Sequence, residues 1–209
     1  MSNENKEKHV PKGQTETTVQ RLLSVAEELF SKKGFADTSI REIGEGVGVA
    51  NSTILYYFST KEKIYIEVLK RIESSLKSII IDLSDPKESE LNQIMGMLER
   101  FIDWSWEFPQ YNRIMVREIM ENSDRLKNSK DMYLIEFINE AKRPLEILKE
   151  KGKIDSIDPM LFLIQTIGAI SYMSIALPTV GIITGNLDNN LLMEKNKQTI
   201  LSTVYETLK

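Results

Sequence analysis

Side chains able to do chemistry are sparse in this chain, and one stretch concentrates most of them. Between Asn51 and Lys61 stand Asn51, Ser52, Thr53, Tyr56 and Tyr57, with Leu55 among them and Lys61 at the end. Amides, hydroxyls, two phenols and an ammonium suit hydrogen bonding to a polyanion more than bond breaking. Elsewhere the means of catalysis are missing. There is no cysteine and one histidine, His9. That excludes disulfides, thiolate nucleophiles, cysteine-ligated zinc and a buried triad. Neither a metal site nor a cofactor is expected. Asp103, Glu107 and Glu118 could share one helical neighbourhood, but helical spacing yields such carboxylate sets by chance. The glycine cluster GEGVGV (44–49) lacks the final glycine of a dinucleotide loop, follows no strand and precedes no Lys-Ser/Thr.

Charge gives little help to a nucleic-acid reading in bulk. The net charge is −4, and residues 1–75 carry 11 Lys+Arg against 11 Asp+Glu. Contact with DNA would have to come from a local patch, because only charges near phosphates release counterions.

The elements that must carry these residues are helical throughout. Residues 1–14 are polar and read as a disordered arm. Val19, Leu22, Leu23, Ala26, Leu29 and Phe30 form one apolar stripe that stops at Gly34. Ser39 and Glu42 have capping-box spacing before a short helix ending at Gly48. A second short helix, 50–58, follows at once, so the pair over 38–58 reads as a helix-turn-helix. A long fourth helix starts after Thr60 and breaks at Asp85-Pro86. Further helices are expected at 88–107, 110–121, 125–151, 159–177 and 190–208, about nine in all, with Pro144 inside one and Pro178 ending another. The fold class is all-α, with no strands.

On the second short helix, Ile54 and Phe58 face inward and the polar set faces out. Its N-terminal N–H groups, with Ser, Thr and Lys nearby, suit phosphate oxygens. Asn51 and Tyr56 can reach base edges, and Leu55 a thymine methyl. The segments TSIREIG (38–44) and VANSTILYYFSTKE (49–62) resemble the N-terminal domain of TetR-family transcriptional regulators. The resemblance covers about the first 70 residues. It implies phosphate contact through Thr38 and Ser39, and Arg41 near the backbone or a base. It implies a major-groove face of Asn51, Ser52, Thr53, Leu55 and Tyr56, with Tyr57 and Lys61 clamping phosphates. Two residues depart from the family pattern. Gly44 replaces an alanine, which should loosen its helix by ~1 kcal/mol. Ala50 replaces the usual Ser or Thr cap, so Asn51 is expected to take the cap.

The C-terminal part is expected to hold a ligand pocket and a dimer interface. Lining candidates are Met97, Phe101, Trp104, Trp106, Phe108, Tyr111, Met115, Phe137, Phe162, Gln165 and Tyr172, aromatic and thioether groups suited to an adaptable apolar cavity. The stretch 159–178 is nearly uncharged, yet too short between its prolines for the ~20 apolar residues of a membrane span. Gly168, Ala169, Ser171 and Ile175 on that helix, with Leu201, Val204 and Tyr205 on the last, would pair across a two-fold axis.

The leading expectation is thus a cytoplasmic homodimer with a DNA-binding unit over 15–60 and a ligand-binding and dimerisation unit over 61–209. It would bind a double-stranded operator as a repressor in the family's manner, and release it on binding a small apolar inducer. No membrane partner is expected, and no secretory signal is read at the N-terminus. Helix four, uninterrupted by Gly or Pro, would act as the lever between cavity and DNA. A helical interaction module without DNA binding, or a carboxylate enzyme, are the alternatives.

Overall fold

A computed structural model describes residues 17–80, 88–121, 135–185 and 188–209. The arm expected over 1–14, the Asp85-Pro86 break and the first turns of the helix expected from 125 lie outside these residues. Among the described residues there are nine helices and no strand. They are α1 (Thr18–Lys33), α2 (Ile40–Val47), α3 (Asn51–Phe58), α4 (Lys61–Ile80), α5 (Glu90–Glu107), α6 (Pro109–Glu121), α7 (Ile135–Glu150), α8 (Pro159–Thr184) and α9 (Asn189–Leu208).

Local signals set most of the ends. Thr17 and Gln20 form a capping box at the start of α1, and Gly34 at φ 83° closes it. Ser39 and Glu42 do the same for α2, and left-handed Gly48 at φ 78° ends it. Lys33 donates to the Glu42 carboxylate, tying the last turn of α1 to the first of α2. Asp158 caps α8, with Pro159 at its first position.

Two expectations fail. Asn51 does not cap α3; Ala50 holds the cap position with no side-chain hydrogen bond, and the helix begins at Asn51. Nor does α8 stop before Pro178, which lies inside a helix of 26 residues. Buried Leu177 and Gly181 pin the chain on both sides of the proline, and that packing outweighs the lost backbone bond. The lengthened helix, with a mean hydropathy of 1.8 over its most apolar window, is long and apolar enough to cross a membrane. Here it packs against α5, α6, α7 and α9.

One hydrophobic core runs through the described helices. Leu22, Ala26 and Phe30 of α1 meet Ile43, Ile54 and Phe58, and Ile64, Tyr65 and Val68 of α4 continue the same cluster. Beyond them Ile72, Leu76 and Ile79 lead to Ile94, Leu98, Phe101 and Ile102 of α5. The α2–α3 turn is tight enough to exclude any side chain at Gly44. A Cβ there would lie 2.9 Å from the Val49 carbonyl oxygen and 3.1 Å from Ile54 Cδ1.

We expect Gly44→Ala to lower stability by about 1–3 kcal/mol through overpacking, despite alanine's better helix propensity. Urea unfolding measures it, and a stabilised variant would mean the turn relaxes freely. A second expectation concerns acid. Lys33 and the Ser39 backbone and hydroxyl hold the Glu42 carboxyl down at about 2, from an ordinary 4.5. A lowered folded-state value stabilises above the ordinary value and fades as pH falls through the folded one. The difference in Tm between wild type and Glu42→Gln should therefore be full above pH 4.5 and vanish toward pH 2. A difference independent of pH would remove Glu42 ionisation from the cap.

Candidate nucleic-acid interface

The recognition face is built by two anchors and a turn. Ile54 and Phe58 bury one side of α3 against the core. The opposite side leaves Asn51, Ser52, Leu55, Tyr56 and Tyr57 exposed, with Thr53 half-buried. Tyr56 is 84% exposed and Tyr57 47%. Their rings brace each other edge to face, with centroids 5.3 Å apart. Ala50 offers no capping side chain, so the first N–H groups of α3, at the positive end of its dipole, have no side-chain cap. On α2, Arg41 is exposed and donates to Glu45 at 2.8 Å, the i, i+4 pair its spacing allows. That hydrogen bond and the Glu45 charge raise the Arg41 pKa further.

Three residues expected at phosphates do other work. Thr38 is buried, and its hydroxyl donates to the Gly34 carbonyl at 2.8 Å. Ser39 is exposed but committed to capping: its hydroxyl accepts from the Glu42 N–H at 3.2 Å and donates to the Glu42 carboxylate. Lys61 corrects the sequence expectation most clearly. Its ammonium donates to the carbonyls of Phe35 (2.7 Å), Ala36 (3.2 Å) and Thr38 (2.8 Å). It also lies 4.4 Å from the centre of the Phe35 ring. An ammonium has three N–H donors, and all three hold the turn between α1 and α2. Lys61 positions the interface; it does not reach toward a phosphate.

The cavity expected near the tryptophans lies one helix layer away. An apolar cavity of about 450 Å³ sits between α6, α7 and α8. Of the expected lining residues, Met115, Phe137 and Tyr172 border it. Met97, Phe101 and Trp104 are buried in the core, and the Trp104 indole N–H donates to Ser75 Oγ. Trp106 and Phe162 pack half-buried on that core, and Gln165 is exposed. Phe108 and Tyr111 border a separate recess with Leu23, Arg71 and Ser75. The reason is that α5 packs against α4, α6, α7, α8 and α9, so its aromatic face fills the interior.

The expected dimer residues divide as well. Ser171 and Val204 are buried within the chain, and Gly168, Ser171 and Ile175 border the cavity. Ala169 and Tyr205 are exposed, and Leu201 is half-buried. The carboxylates proposed for an enzyme face different neighbours: Asp103 accepts from Lys197 at 2.8 Å, while Glu118 accepts from Tyr65 at 2.7 Å. Sequence reasoning overlooked that last pair, since nothing local links residues 53 apart.

Residues 22–68 match the family model described as bacterial regulatory proteins, tetR family. The HTH-type transcriptional regulator RutR of Escherichia coli K12 is 27% identical over 168 residues, covering 78% of this chain and 77% of that protein. The HTH-type transcriptional repressor NicS of Pseudomonas putida is 26% identical over 127 residues, 57% of this chain and 56% of that one. In fold, the chain is similar to a putative fatty acid metabolism regulator of Clostridium perfringens, with a TM-score of 0.72 at 17% identity over 90% of this chain and 98% of that one. The matched residues run from within α1 to within α4 and include the outward face of α3, and over this N-terminal part the chain is similar to the tetR family of bacterial regulatory proteins.

Proposed function

We propose that the chain is a homodimeric, sequence-specific DNA-binding repressor, released from its operator by a small apolar ligand. The observation that carries this reading is the outward face of α3. Two phenols, an amide and two hydroxyls stand on a helix whose other side is pinned by Ile54 and Phe58. Such a face matches base edges and phosphates in a major groove. On this reading residues 15–60 bind DNA and 61–209 bind ligand and partner. The second copy would cover apolar side chains left exposed on α8 and α9, among them Leu161, Ile164, Ile182 and Tyr205. Two recognition helices would then meet half-sites ~34 Å apart.

Coupling runs through α6 before it reaches α4. No α4 residue borders the apolar cavity, whereas Met115, Val116, Ile119 and Met120 of α6 do. From the same helix Glu118 holds Tyr65 of α4, and Arg117 donates to the Lys32 carbonyl at the end of α1. A ligand that prefers one position of α6 therefore biases the spacing of the DNA-binding units.

The test is binding to DNA flanking its own gene, by fluorescence anisotropy against a scrambled duplex. Asn51→Ala and Tyr56→Ala should each lose roughly 1–3 kcal/mol of specific affinity. No preference for the native duplex would overturn the reading. The salt dependence separates the two cations. Arg41→Ala should lower the salt slope by about one, if Arg41 exchanges Glu45 for a phosphate. Lys61→Ala should weaken binding with the slope unchanged, because it acts through the turn. A slope that falls with Lys61→Ala instead would return that residue to the phosphate.

A further inference from the structure

The cavity between α6, α7 and α8 is open on one side, and the edge of that opening is apolar. Ile119 and Met120 of α6 and Ile164 and Tyr172 of α8 border it, each more than half exposed. The floor is buried, with Met115, Phe137 and Leu163 in it. A hydrocarbon lodged there would keep one face in water and lose the affinity that burial of that face supplies. In a single chain the site is incomplete. The opening also lies along the free side of α8. Leu161, Ile164, Gly168, Tyr172, Ile182 and Ile183 are exposed there, on one side by helical spacing. A Cβ placed at Gly168 would meet nothing within 4 Å. Along its 26 residues α8 carries no Asp, Glu, Lys or Arg. Exposed apolar stripes of this length mark surfaces that something covers.

Ile164, Gly168 and Tyr172 belong both to the stripe and to the opening, so whatever covers the first closes the second. We propose that a second copy of this chain, seated on α8, closes the cavity, so that an apolar ligand binds the dimer in preference to the single chain. A two-fold axis sets the stripe against itself. Having no charge, the stripe meets no like charge across that axis, and Gly168 lets the two backbones approach closely. A lipid surface is the other apolar partner such a stripe could meet. Helices that lie on membranes flank their apolar side with Lys or Arg. Beside this stripe the exposed positions are Gln165, Ala169 and Thr179, and the opposite side of α8 is buried in the protein. The proposal rests on the reading above that the cavity takes an apolar ligand, and adds that ligand and partner bind cooperatively. By linkage each must raise the affinity of the other.

The test uses the full chain and N-phenyl-1-naphthylamine, an uncharged apolar fluorophore, with association state by analytical ultracentrifugation. Ile183→Glu and Leu161→Glu change exposed residues at opposite ends of the stripe, and neither residue borders the cavity. Each should yield a monomer of unchanged helicity that binds the probe about tenfold more weakly, the effect of leaving roughly 55 Å² of apolar ligand surface in water. Ile183→Ser, which only weakens pairing, should regain probe affinity as its concentration rises through its dimer dissociation constant. Saturating probe should tighten dimerisation of that variant about a hundredfold, because each dimer closes two cavities. If a glutamate variant loses its helicity, the serine series decides alone. A wild type that is monomeric, glutamate variants that stay dimeric, or recruitment of the wild type to phosphatidylcholine vesicles in place of pairing would each overturn the proposal. Equal probe affinity in monomer and dimer removes this proposal alone, whereas no probe binding by the dimer removes the apolar-ligand reading with it. If probe affinity follows the dimer yet the chain shows no preference for its native duplex, the closed cavity stands and the repressor reading falls.

Discussion

The hydrogen bond from the Tyr65 hydroxyl to Glu118, 2.7 Å long and buried, joins the two parts of this molecule. The Tyr65 ring belongs to the N-terminal core, edge-on to Phe30 at 4.9 Å and to Phe35 at 5.0 Å. Its hydroxyl belongs to α6. Three helices of 16, 8 and 8 residues cannot bury enough apolar surface to stand alone. They must borrow α4 and α6 to finish their core, and they take on the position of those helices with it. Arg71 of α4, donating to buried Glu27 of α1 at 2.8 Å, reinforces the same junction. The unit that presents the recognition face is therefore not independent of the unit that encloses the cavity.

That dependence makes rigidity at the N-terminal end useful. The turn between α1 and α2 is held by the Thr38 hydroxyl, by the three bonds of Lys61 and by the Lys33–Glu42 pair. A loosely held turn would absorb a small shift of α4; a pinned one passes it to α3. The cost is electrostatic. With Lys61 committed to the turn, Lys33 to Glu42 and Arg41 to Glu45, and charge over residues 1–75 balanced at 11 against 11, this part of the chain carries no net positive charge. Affinity for DNA would then rest on short contacts from the amide, hydroxyls and phenols of α3 more than on counterion release. Such contacts fail over small displacements, which suits a switch.

What could be read from the sequence follows the range of each interaction. Capping boxes at Thr17 and Ser39, and the glycines ending α1 and α2, act within four residues, so spacing alone reveals them. The outward face of α3 follows from helical period once Ile54 and Phe58 are placed inside. The role of Lys61 is hidden from the sequence because its partners lie 23 to 26 residues upstream, in a turn whose path no local pattern gives. The tryptophans were misplaced because periodicity tells which face of α5 is apolar, not which helices it meets. Pro178 reads locally as a stop because a proline is unfavourable in a helix; burial of Leu177 and Gly181 decides otherwise. Ser171, read as a small residue for close helix approach, turned out to border a cavity, since smallness serves either purpose.

The helix between these two ends has no neutral side. On α6, Met115 and Ile119 border the cavity, while Arg117 and Glu118 face the N-terminal helices. Close-packed interiors resist continuous deformation, so α6 shifts as a body or not at all. Its attachments differ in completeness. Toward α4 the Tyr65–Glu118 bond is made and buried; toward α8 the Asn112 cluster is half-made, with an amide oxygen and a serine hydroxyl unpaired among the described residues. Because the Tyr65 hydroxyl is bonded to Glu118, a displacement of α6 would be passed to α4, and from there to the turn that Lys61 holds. The Asn112 cluster is thus where α6 is held less completely, to α8, and the buried Tyr65–Glu118 bond is where it is held to α4.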